Sequence, residues 1–591
     1  MLPLILCFLY VALVSAKCYE PSQAHPLPEL DPNDAVLTDA FAAVSAALTL
    51  AVDGPEFAAT SFSVEVTSSK ESLWSYHHTA RERNASRPDI PTVNSDALYR
   101  IASISKIFTV LGVLYQHAAG NMSLDDPIDK YIAELKGEQE GSIPWKDITL
   151  RSLASQLSGI PRDCVLPKPR IHGCFTFAVA QADIINSDKL SPYAPEQFGF
   201  PPVSRDGLIE CDEYAPNYKP SCGEADLIKV VTSAAPVFAP NQKSTYSNIA
   251  FELLGVAIEK VTNQTYESYI NDAIFKPLNM TKSTLSTPPD SAGVIPLEPH
   301  YWGIDAGIQN PTGGIYSSAA DLSKLLRYIL THYNSITHAA NWVHPVSPSN
   351  GLHSFYGMPW EIFHTDRILE KSQRTVKFIT KSGGLPGYTS IIITVPEYDL
   401  GFTILLAGNF DLFEKIREAV TVTVVRAAEQ VVIKQLQKRY AGTYASPNPE
   451  LNSSMTLVAD HRGLVVTEFI SNATDVMATD LLLAFGRKSE DFYVQLVPTL
   501  LYRNETAQSG ELWRIVVAAE RTEEERDIWD DFCMTEVGAV RYAGLPANEI
   551  AFWDGKGKEF KKLEIVGFRA TLSRIKNNDA RPALKQEIFE L

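Results

Sequence analysis

Three short motifs follow one another along this chain, each containing residue types that suit covalent catalysis. Ser103 and Lys106 form an S-x-x-K motif at the start of a predicted helix. Tyr246 and Asn248 form a Y-x-N motif before a second predicted helix, and Lys381 begins the sequence KSGG on a predicted strand. The first two motifs also occur elsewhere in the chain, so the order of the set and its flanking elements give it significance.

These residue types are suited to nucleophilic attack by a serine. A serine hydroxyl attacks a carbonyl only when a neighbouring base removes its proton. Residues three apart share one face of a helix, which predicts that Lys106 lies beside Ser103. Lys381 would be a nearby cation that also lowers the pKa of Tyr246. Either Lys106 or the Tyr246 phenolate could then be the base, and the sequence leaves both alternatives open.

Two backbone groups near these motifs could stabilise negative charge on a reacting oxygen. The N–H of Ser103 lies at a predicted helix N-terminus, and the N–H of Gly384 lies on the predicted strand. Together they would form an oxyanion hole for a tetrahedral intermediate.

The composition excludes several classes of protein. The chain has 591 residues, of which 45% are hydrophobic and 21% charged, as in globular proteins and unlike disordered ones. Its 52 basic and 70 acidic side chains give a net charge of −18, which argues against a nucleic-acid partner. G-x-S-x-G, H-E-x-x-H, Walker A and G-x-G-x-x-G motifs are absent from the sequence, and its 12 histidines are scattered. We therefore predict neither a metal site nor a cofactor.

Residues 1–16 have the features of a secretory signal peptide. The run MLPLILCFLYVAL is almost wholly apolar but too short to span a bilayer, and small residues precede a predicted cleavage after Ala16. Cleavage would remove one of seven cysteines and leave six, an even number typical of disulfides in an exported protein. Six cysteines allow 15 pairings, which the sequence does not distinguish; local pairing would give Cys164–Cys174 and Cys211–Cys222 and leave Cys18–Cys533, and buried free thiols are the alternative.

Seven N-x-S/T sequons support export, because such sites are glycosylated in secreted proteins. The sequons are at Asn84, Asn121, Asn263, Asn279, Asn452, Asn472 and Asn504. No later apolar run is long enough to span a bilayer. We predict a secreted glycoprotein with a small-molecule or peptide substrate, no nucleic-acid partner and no membrane span. The sequence does not predict its oligomeric state.

Hydrophobic periodicity predicts a large mixed domain followed by a smaller β domain. Helical patterns cover 34–52, 103–117, 249–261 and 411–438, and three strand-like runs lie within 376–407. Residues 161–240 contain 11 of the 37 prolines and four cysteines, which predicts a long irregular insertion near the pocket. The section 439–591 contains short strands separated by turns, which predicts an antiparallel β domain.

The motifs and their order resemble the serine β-lactamase and penicillin-binding-protein superfamily, in particular class C β-lactamases and their esterase relatives. The matching segments are YRIASISKIFT (99–109), ITLRSLASQLSGIPRD (148–163), STYSNIAFELLG (244–255), FKPLNMTKST (275–284), GGIYSSAADLSKLL (313–326), YGMPWEI (356–362) and KSGGLPGYTSIIITVPE (381–397). The resemblance implies an α+β fold, with an antiparallel sheet flanked by helices and an all-helical subdomain. Residues 17–438 would form this hydrolase domain, and residues 439–591 resemble the C-terminal domains of secreted fungal β-lactamase-like proteins.

The resemblance also implies a role for each motif residue. Ser103 would be the acylated nucleophile, Lys106 and Tyr246 the proton-transfer pair, and Lys381 their electrostatic partner. The residues that would bind substrate are Asn248, Ser382, Gly383 and Gly384. The interval from Ser103 to Tyr246 is longer than this family predicts, so the substrate preferences of relatives do not transfer to this chain.

The leading hypothesis is a secreted serine hydrolase that cleaves an ester or an amide, lactams included, through an acyl-enzyme on Ser103. The motifs do not separate an esterase, a lactam hydrolase and a peptidase, and an acyltransferase would use the same intermediate. A ligand-binding member of the fold without catalysis is the alternative, against which the intact motifs argue. The β domain is interpreted as a packing domain, with tethering to a surface polymer as the alternative.

Overall fold

The structure contains two large antiparallel sheets and a set of packed helices. The computed structural model describes residues 19–20, 23–137, 142–162, 222–297, 301–332, 342–484, 492–521, 537–538, 540–555 and 559–575. Within these ranges the α-helices are α1 (Ala35–Ala51), α2 (Ser105–Ala118), α3 (Leu150–Ala154), α4 (Glu224–Ser233), α5 (Ile249–Thr262), α6 (Tyr266–Ile270), α7 (Asn310–Gly313), α8 (Ala319–Thr331) and α9 (Phe410–Arg439).

The first sheet is antiparallel and has eight strands. The strands before α9 are β1 (Ser61–Thr67), β2 (Ser72–His78), β3 (Tyr99–Arg100), β4 (Tyr316–Ser317), β5 (Ser347–Pro348), β6 (Ser354–Tyr356), β7 (Glu361–Thr365), β8 (Val376–Leu385), β9 (Tyr388–Val395) and β10 (Leu400–Ala407). The sheet order is β2-β1-β10-β9-β8-β7-β6-β5, whereas β3 and β4 form a separate pair.

Alternate residues of this sheet face two different hydrophobic cores, as the period of a strand requires. On β9, Ile391 and Ile393 pack in the core that contains α1 and α9. Ile392 faces the opposite core, which contains Leu322 of α8. In that second core α5 packs against α2, α3 and α6, and forms a helical region beside the sheet. The predicted antiparallel sheet flanked by helices, with a helical subdomain, is confirmed.

Hydrophobic periodicity predicted the starts of α1, α2, α5 and α9 to within two residues, and did not predict the other five described helices. Asp34 caps α1 by accepting a hydrogen bond from Val36 N at 2.8 Å. Helix α2 begins at Ser105 and not at Ser103, because a 3₁₀ turn (Ala102–Ile104) precedes it. The expectation of an irregular segment over 161–240 was wrong in part, since it contains helix α4. Residues 163–221 of that segment lie outside the described residues.

The second sheet closes on itself. Its strands are β11 (Gly442–Ala445), β12 (Ser454–Asp460), β13 (Gly463–Ser471), β14 (Thr474–Asp475), β15 (Phe492–Asn504), β16 (Ser509–Ala519), β19 (Glu549–Trp553), β20 (Lys562–Ile565) and β21 (Ala570–Arg574), with β17 (Arg541–Tyr542) and β18 (Leu545–Pro546) paired separately. Strand β12, at one end of the strand order, also pairs with β13, which closes a ring of eight strands and leaves β14 outside it. The predicted C-terminal antiparallel β domain is confirmed.

The C-terminal sheet and the last helix of the larger part share one hydrophobic core. The ring of Tyr440, directly after α9, lies 5.0 Å from Trp513, 5.1 Å from Phe552 and 4.9 Å from Phe560, measured between centroids. Leu436 of α9 is buried in the same core. The β domain therefore packs tightly against the rest of the chain, while the division at 438/439 stays a prediction.

Several export-related predictions concern residues that the structure does not describe. The signal peptide and five of the six candidate disulfide cysteines lie outside the described residues, and Cys222 is buried. All seven sequon asparagines are described: six are exposed and Asn84 is half-buried, while their glycosylation stays a prediction. No helix in the described ranges has the length and apolar character needed to cross a membrane.

Leu436 provides a test of the shared core. Leu436→Ala should lower the free energy of unfolding by about 2–5 kcal/mol, because it removes buried methyl groups and leaves a cavity. Leu50→Ala is the matched control, since Leu50 is 74% exposed on helix α1. The control should change the free energy of unfolding by less than about 1 kcal/mol. Urea unfolding followed by circular dichroism measures both, and equal losses would contradict a core between α9 and the C-terminal sheet.

Candidate active site

Ser103 lies in the 3₁₀ turn that joins β3 to α2. The preceding residue, Ala102, has a φ of 47°, in the left-handed region that residues with a Cβ rarely adopt. Such backbone strain persists only where the surrounding structure holds it, and it is concentrated at functional sites. The turn places Ser103 on the wall of a cleft of about 270 Å³.

The Ser103 hydroxyl contacts both of the side chains predicted to transfer protons. Lys106 Nζ donates a hydrogen bond to Ser103 Oγ at 3.0 Å, and the Tyr246 hydroxyl donates to the same oxygen at 2.9 Å. Lys106 is fully buried and also donates to the carbonyl oxygen of Thr312 in α7 at 2.9 Å. The first two sequence motifs, 143 residues apart, therefore meet at one oxygen atom.

The position of Tyr246 depends on the residue that follows it. Ser247 N donates to Gln156 Oε1 at 2.7 Å, and Ser247 Oγ accepts from Ala250 N at 3.1 Å in the first turn of α5. Ser247 therefore caps the first turn of α5. Because both bonds are buried, they hold the backbone of Tyr246 in place beside the cleft.

Lys381, which is buried, lies behind Tyr246 and forms an ion pair with the half-buried Glu361. Lys381 Nζ donates to Glu361 Oε1, and Glu361 Oε2 accepts from the backbone N and the hydroxyl of Ser382 at 3.0 and 2.7 Å. Burial would raise the pKa of Glu361, but the charge of Lys381 outweighs it and lowers the pKa. Burial likewise opposes the charge on Lys381, yet Glu361 raises the pKa of this lysine. Both groups therefore stay charged.

Two ammonium groups lie close to the aromatic ring of Tyr246. Lys106 Nζ is 5.1 Å and Lys381 Nζ is 5.4 Å from the ring centroid. Burial alone would raise the pKa of the phenol, but the charges of Lys106 and Lys381 outweigh it, so the pKa of Tyr246 is lowered. The two positive charges therefore favour the ionised form of Tyr246, whose phenol oxygen lies next to the Ser103 hydroxyl.

Gly383 allows strand β8 to pass directly against the turn that holds Ser103. A Cβ atom at this position would lie 2.2 Å from the carbonyl oxygen of Ile101 and 3.0 Å from Ser103 N. Any other side chain would push the strand and the turn apart. At the neighbouring Gly384 no atom lies within 4 Å of the position that a Cβ would occupy. This open space belongs to the cleft, which Gly384 lines.

The strand geometry also gives the direction of the Gly384 N–H. Successive N–H groups of a strand point to opposite edges, so those of Ser382 and Gly384 share one edge. Ser382 N donates to the side chain of Glu361. Glu361 is the end residue of β7 in its pairing with β8. The N–H of Gly384 therefore points past the end of β7 into the cleft that Ser103 also lines. This arrangement fits the predicted oxyanion hole.

The structure brings the predicted site residues together around one cleft. Those that line it are Ser103, Tyr246, Asn248, Ser382, Gly383 and Gly384. Lys106 and Lys381 lie behind this wall and reach it through their ammonium groups. Among the described residues, no group of three or more His, Cys, Asp or Glu side chains is arranged to hold a metal ion.

Three residues at the site carried no role in the sequence predictions. Glu361 holds Lys381, Thr312 accepts from Lys106, and the guanidinium carbon of Arg162 lies 5.0 Å from the ring centroid of Tyr246. The segment YGMPWEI, which contains Glu361, was a signal that could have identified it. Arg162 lies in the matching segment 148–163, which gave it no role, and Thr312 in α7 reaches Lys106 only through the tertiary fold.

Comparison with known proteins agrees with this geometry. The beta-lactamase family profile matches residues 35–424, about two thirds of the chain. The chain belongs to the beta-lactamase family. A second profile, for a beta-lactamase-like C-terminal domain, matches residues 432–576 of this family member. The predicted family resemblance is therefore confirmed for both parts of the chain.

Relatives of this beta-lactamase family member match it over most of its length. "Probable hydrolase clz13" from Cochliobolus lunatus is 32% identical, over 94% of this chain and 91% of its own. A "Beta-lactamase-like protein" from Arthroderma benhamiae is 30% identical, over 81% of this chain and 79% of its own. A solved class C beta lactamase from Rhodobacter sphaeroides is 20% identical with a TM-score of 0.45, over 65% of this chain and 98% of its own.

A pair of glycine variants tests the close approach at β8. Gly383→Ala should lower the free energy of unfolding by about 1–3 kcal/mol, because its Cβ would overlap the turn at Ile101 and Ser103. Gly384→Ala, one residue along the same strand, should change it by less than about 0.5 kcal/mol, because its Cβ enters open space. Thermal unfolding of both variants measures the difference. A Gly383→Ala variant as stable as Gly384→Ala would contradict the described contact.

The ionisation of Tyr246 tests the electrostatics of the site. The ultraviolet difference between wild type and Tyr246→Phe isolates this tyrosine among the 24 in the chain. Its titration should lie below the usual pKa of about 10, because Lys106 and Lys381 favour the phenolate. The same difference is then measured with Lys381→Met present in both proteins. This change removes one cation and should move the titration of Tyr246 to higher pH. A midpoint unchanged by Lys381→Met would show that this lysine does not act on Tyr246.

Proposed function

We propose that this chain is a secreted serine hydrolase that cleaves an ester or an amide through a covalent acyl-enzyme on Ser103. The observation that carries the proposal is the position of Ser103 Oγ, 3.0 Å from Lys106 Nζ and 2.9 Å from the Tyr246 hydroxyl. The family assignment and a relative named as a probable hydrolase support the reaction class. The sequence features that predict a signal peptide support export.

In the first step Tyr246 acts as the base. The carbonyl oxygen of Thr312 holds Lys106 in place, and the lowered pKa of Tyr246 makes its phenolate accessible. The phenolate takes the Ser103 proton while Ser103 Oγ forms a bond to the substrate carbonyl carbon. The ammonium groups of Lys106 and Lys381 are already in position and stabilise the negative charge that develops during this attack.

The next steps use the same groups in the reverse direction. The carbonyl oxygen becomes an oxyanion that accepts from the N–H groups of Ser103 and Gly384. Collapse of this intermediate breaks the bond to the leaving group, which receives its proton from the Tyr246 hydroxyl. A water molecule then loses a proton to Tyr246 and attacks the acyl carbon. The bond from the acyl carbon to Ser103 Oγ breaks as Tyr246 returns that proton to Oγ, which releases the acid and free Ser103. Asn248 and Ser382 line the cleft where they would hold the substrate.

A comparison of two serines tests this proposal. Ser103→Ala should reduce kcat/KM by at least about a thousandfold on whichever substrate is cleaved, because the acyl-enzyme no longer forms. The substrates are short p-nitrophenyl esters, nitrocefin and a D-amino-acid amide, assayed side by side. Ser573→Ala is the matched control, since Ser573 on β21 begins the chain's other S-x-x-K sequence.

The control should retain wild-type rates on every substrate. Hydrolysis that survives Ser103→Ala would overturn the proposal, as would a wild-type chain that cleaves none of the three substrate classes. The ranking of esters, the lactam and the amide then identifies the substrate class.

A further inference from the structure

Arg162 contacts the Tyr246 segment through both its backbone and its side chain. Its carbonyl oxygen accepts hydrogen bonds from Asn248 N at 2.7 Å and from Ile249 N at 3.3 Å, at the start of α5. Its guanidinium carbon lies 5.0 Å from the centroid of the Tyr246 ring. The residue that fixes the start of this helix therefore also places a positive charge at the ring of the predicted base.

The loop that ends in this arginine is bonded to the residues on both sides of Tyr246. Thr245 N donates to the carbonyl oxygen of Gln156 at 2.9 Å, and the Ser247 hydroxyl donates to that of Pro161 at 2.7 Å. These bonds tie the loop to the Tyr246 segment. The guanidinium and the ring therefore extend from backbone positions that are fixed relative to each other.

The guanidinium is a third positive group at this ring. Lys106 Nζ and Lys381 Nζ lie 5.1 and 5.4 Å from the same centroid. The two lysines are buried behind the wall of the cleft, whereas Arg162 is half-buried and lines it. A cation near an aromatic ring is attracted by the electrons of the ring, and the attraction increases when the phenol becomes a phenolate.

The other charged and titratable groups that act on the phenol come from four elements. They are Lys106 on α2, Lys381 on β8, Glu361 on β7 and Tyr356 on β6. Glu361 opposes ionisation of Tyr246, because its charge has the same sign as the phenolate. Burial raises the pKa of Tyr356, so this second phenol stays neutral. The guanidinium of Arg162 thus acts against the effect of Glu361.

We infer that Arg162 is a positioning residue for the base: its guanidinium holds the Tyr246 ring in place and stabilises the phenolate. This inference rests on the proposed function, in which the phenolate of Tyr246 takes the Ser103 proton. A guanidinium suits the role, because it is planar, stacks on aromatic rings and stays charged at every pH at which the protein is assayed. Arg162 takes no proton itself and acts through Tyr246.

The pH dependence of acylation tests this role. For a neutral substrate such as p-nitrophenyl butyrate, kcat/KM should fall towards low pH as Tyr246 takes up a proton. Arg162→Met removes the guanidinium charge and keeps much of the apolar side chain. The midpoint of the fall should then move to higher pH. Below it kcat/KM should be roughly twofold to tenfold lower than in wild type, the range of a cation–π contact, and above both midpoints the rates should be similar.

Two further variants separate the charge of Arg162 from its packing. Arg162→Lys keeps a cation and should retain most of the wild-type midpoint. Arg151→Met is the matched control, because it makes the same change at a partly exposed arginine of α3 that pairs with Asp125. It should leave the midpoint unchanged. The neutral ester excludes a direct attraction between Arg162 and a charged substrate.

An equilibrium measurement tests the same role without turnover. The ultraviolet difference between Arg162→Met and the same variant carrying Tyr246→Phe isolates Tyr246, whose titration should lie at higher pH than in the wild-type background. If Arg162→Met does not fold, Arg162→Gln, which also lacks the charge, takes its place in both measurements.

Two results would overturn the role of Arg162. One is a midpoint that the uncharged variant leaves unchanged, and the other is a loss of kcat/KM that is equal at all pH values. Failure of the proposed function is distinct from both, since it would appear as ester hydrolysis that survives Ser103→Ala.

Discussion

The chemistry of this cleft depends on two ammonium groups buried beside one phenol. Lys106 and Lys381 approach the ring of Tyr246 to 5.1 and 5.4 Å, where little solvent screens them. Their charges outweigh the burial that would keep the phenol neutral, and the pKa of Tyr246 is lowered. Burying two cations is costly, so each has a fixed oxygen partner: the Thr312 carbonyl for Lys106 and the Glu361 carboxylate for Lys381.

The fold brings these groups together by close backbone packing. The turn at Ala102 adopts a left-handed φ, and strand β8 presses against it at Gly383, where no Cβ would fit. This contact places the N–H groups of Ser103 and Gly384 on the same cleft. The large aromatic and aliphatic cores on both faces of the sheet then hold strand and helix at this distance.

Local signals predicted much of this architecture, whereas long-range contacts did not show in the sequence. The helix over 34–52, the strand-like runs within 376–407 and the pairing of Ser103 with Lys106 depend on neighbouring residues, so local patterns predicted them. Glu361 lies on β7, 20 residues before its ion-pair partner Lys381 on β8. Their ion pair therefore depends on the register between the two strands, which the sequence did not show. Helix α4 was missed although it carries local signals, since Asp226 accepts from Gly223 N at 2.9 Å and the buried Leu227 and Val231 are four residues apart.

The account as a whole depends on Ser103 forming a covalent bond with substrate. The most direct measurement is peptide mass spectrometry of the full chain, quenched with acid during turnover of a p-nitrophenyl ester. The account predicts that the added acyl mass appears on the peptide that contains Ser103 and disappears once the ester is exhausted. Turnover without any acylated peptide, or an acyl group on a different residue, would contradict it.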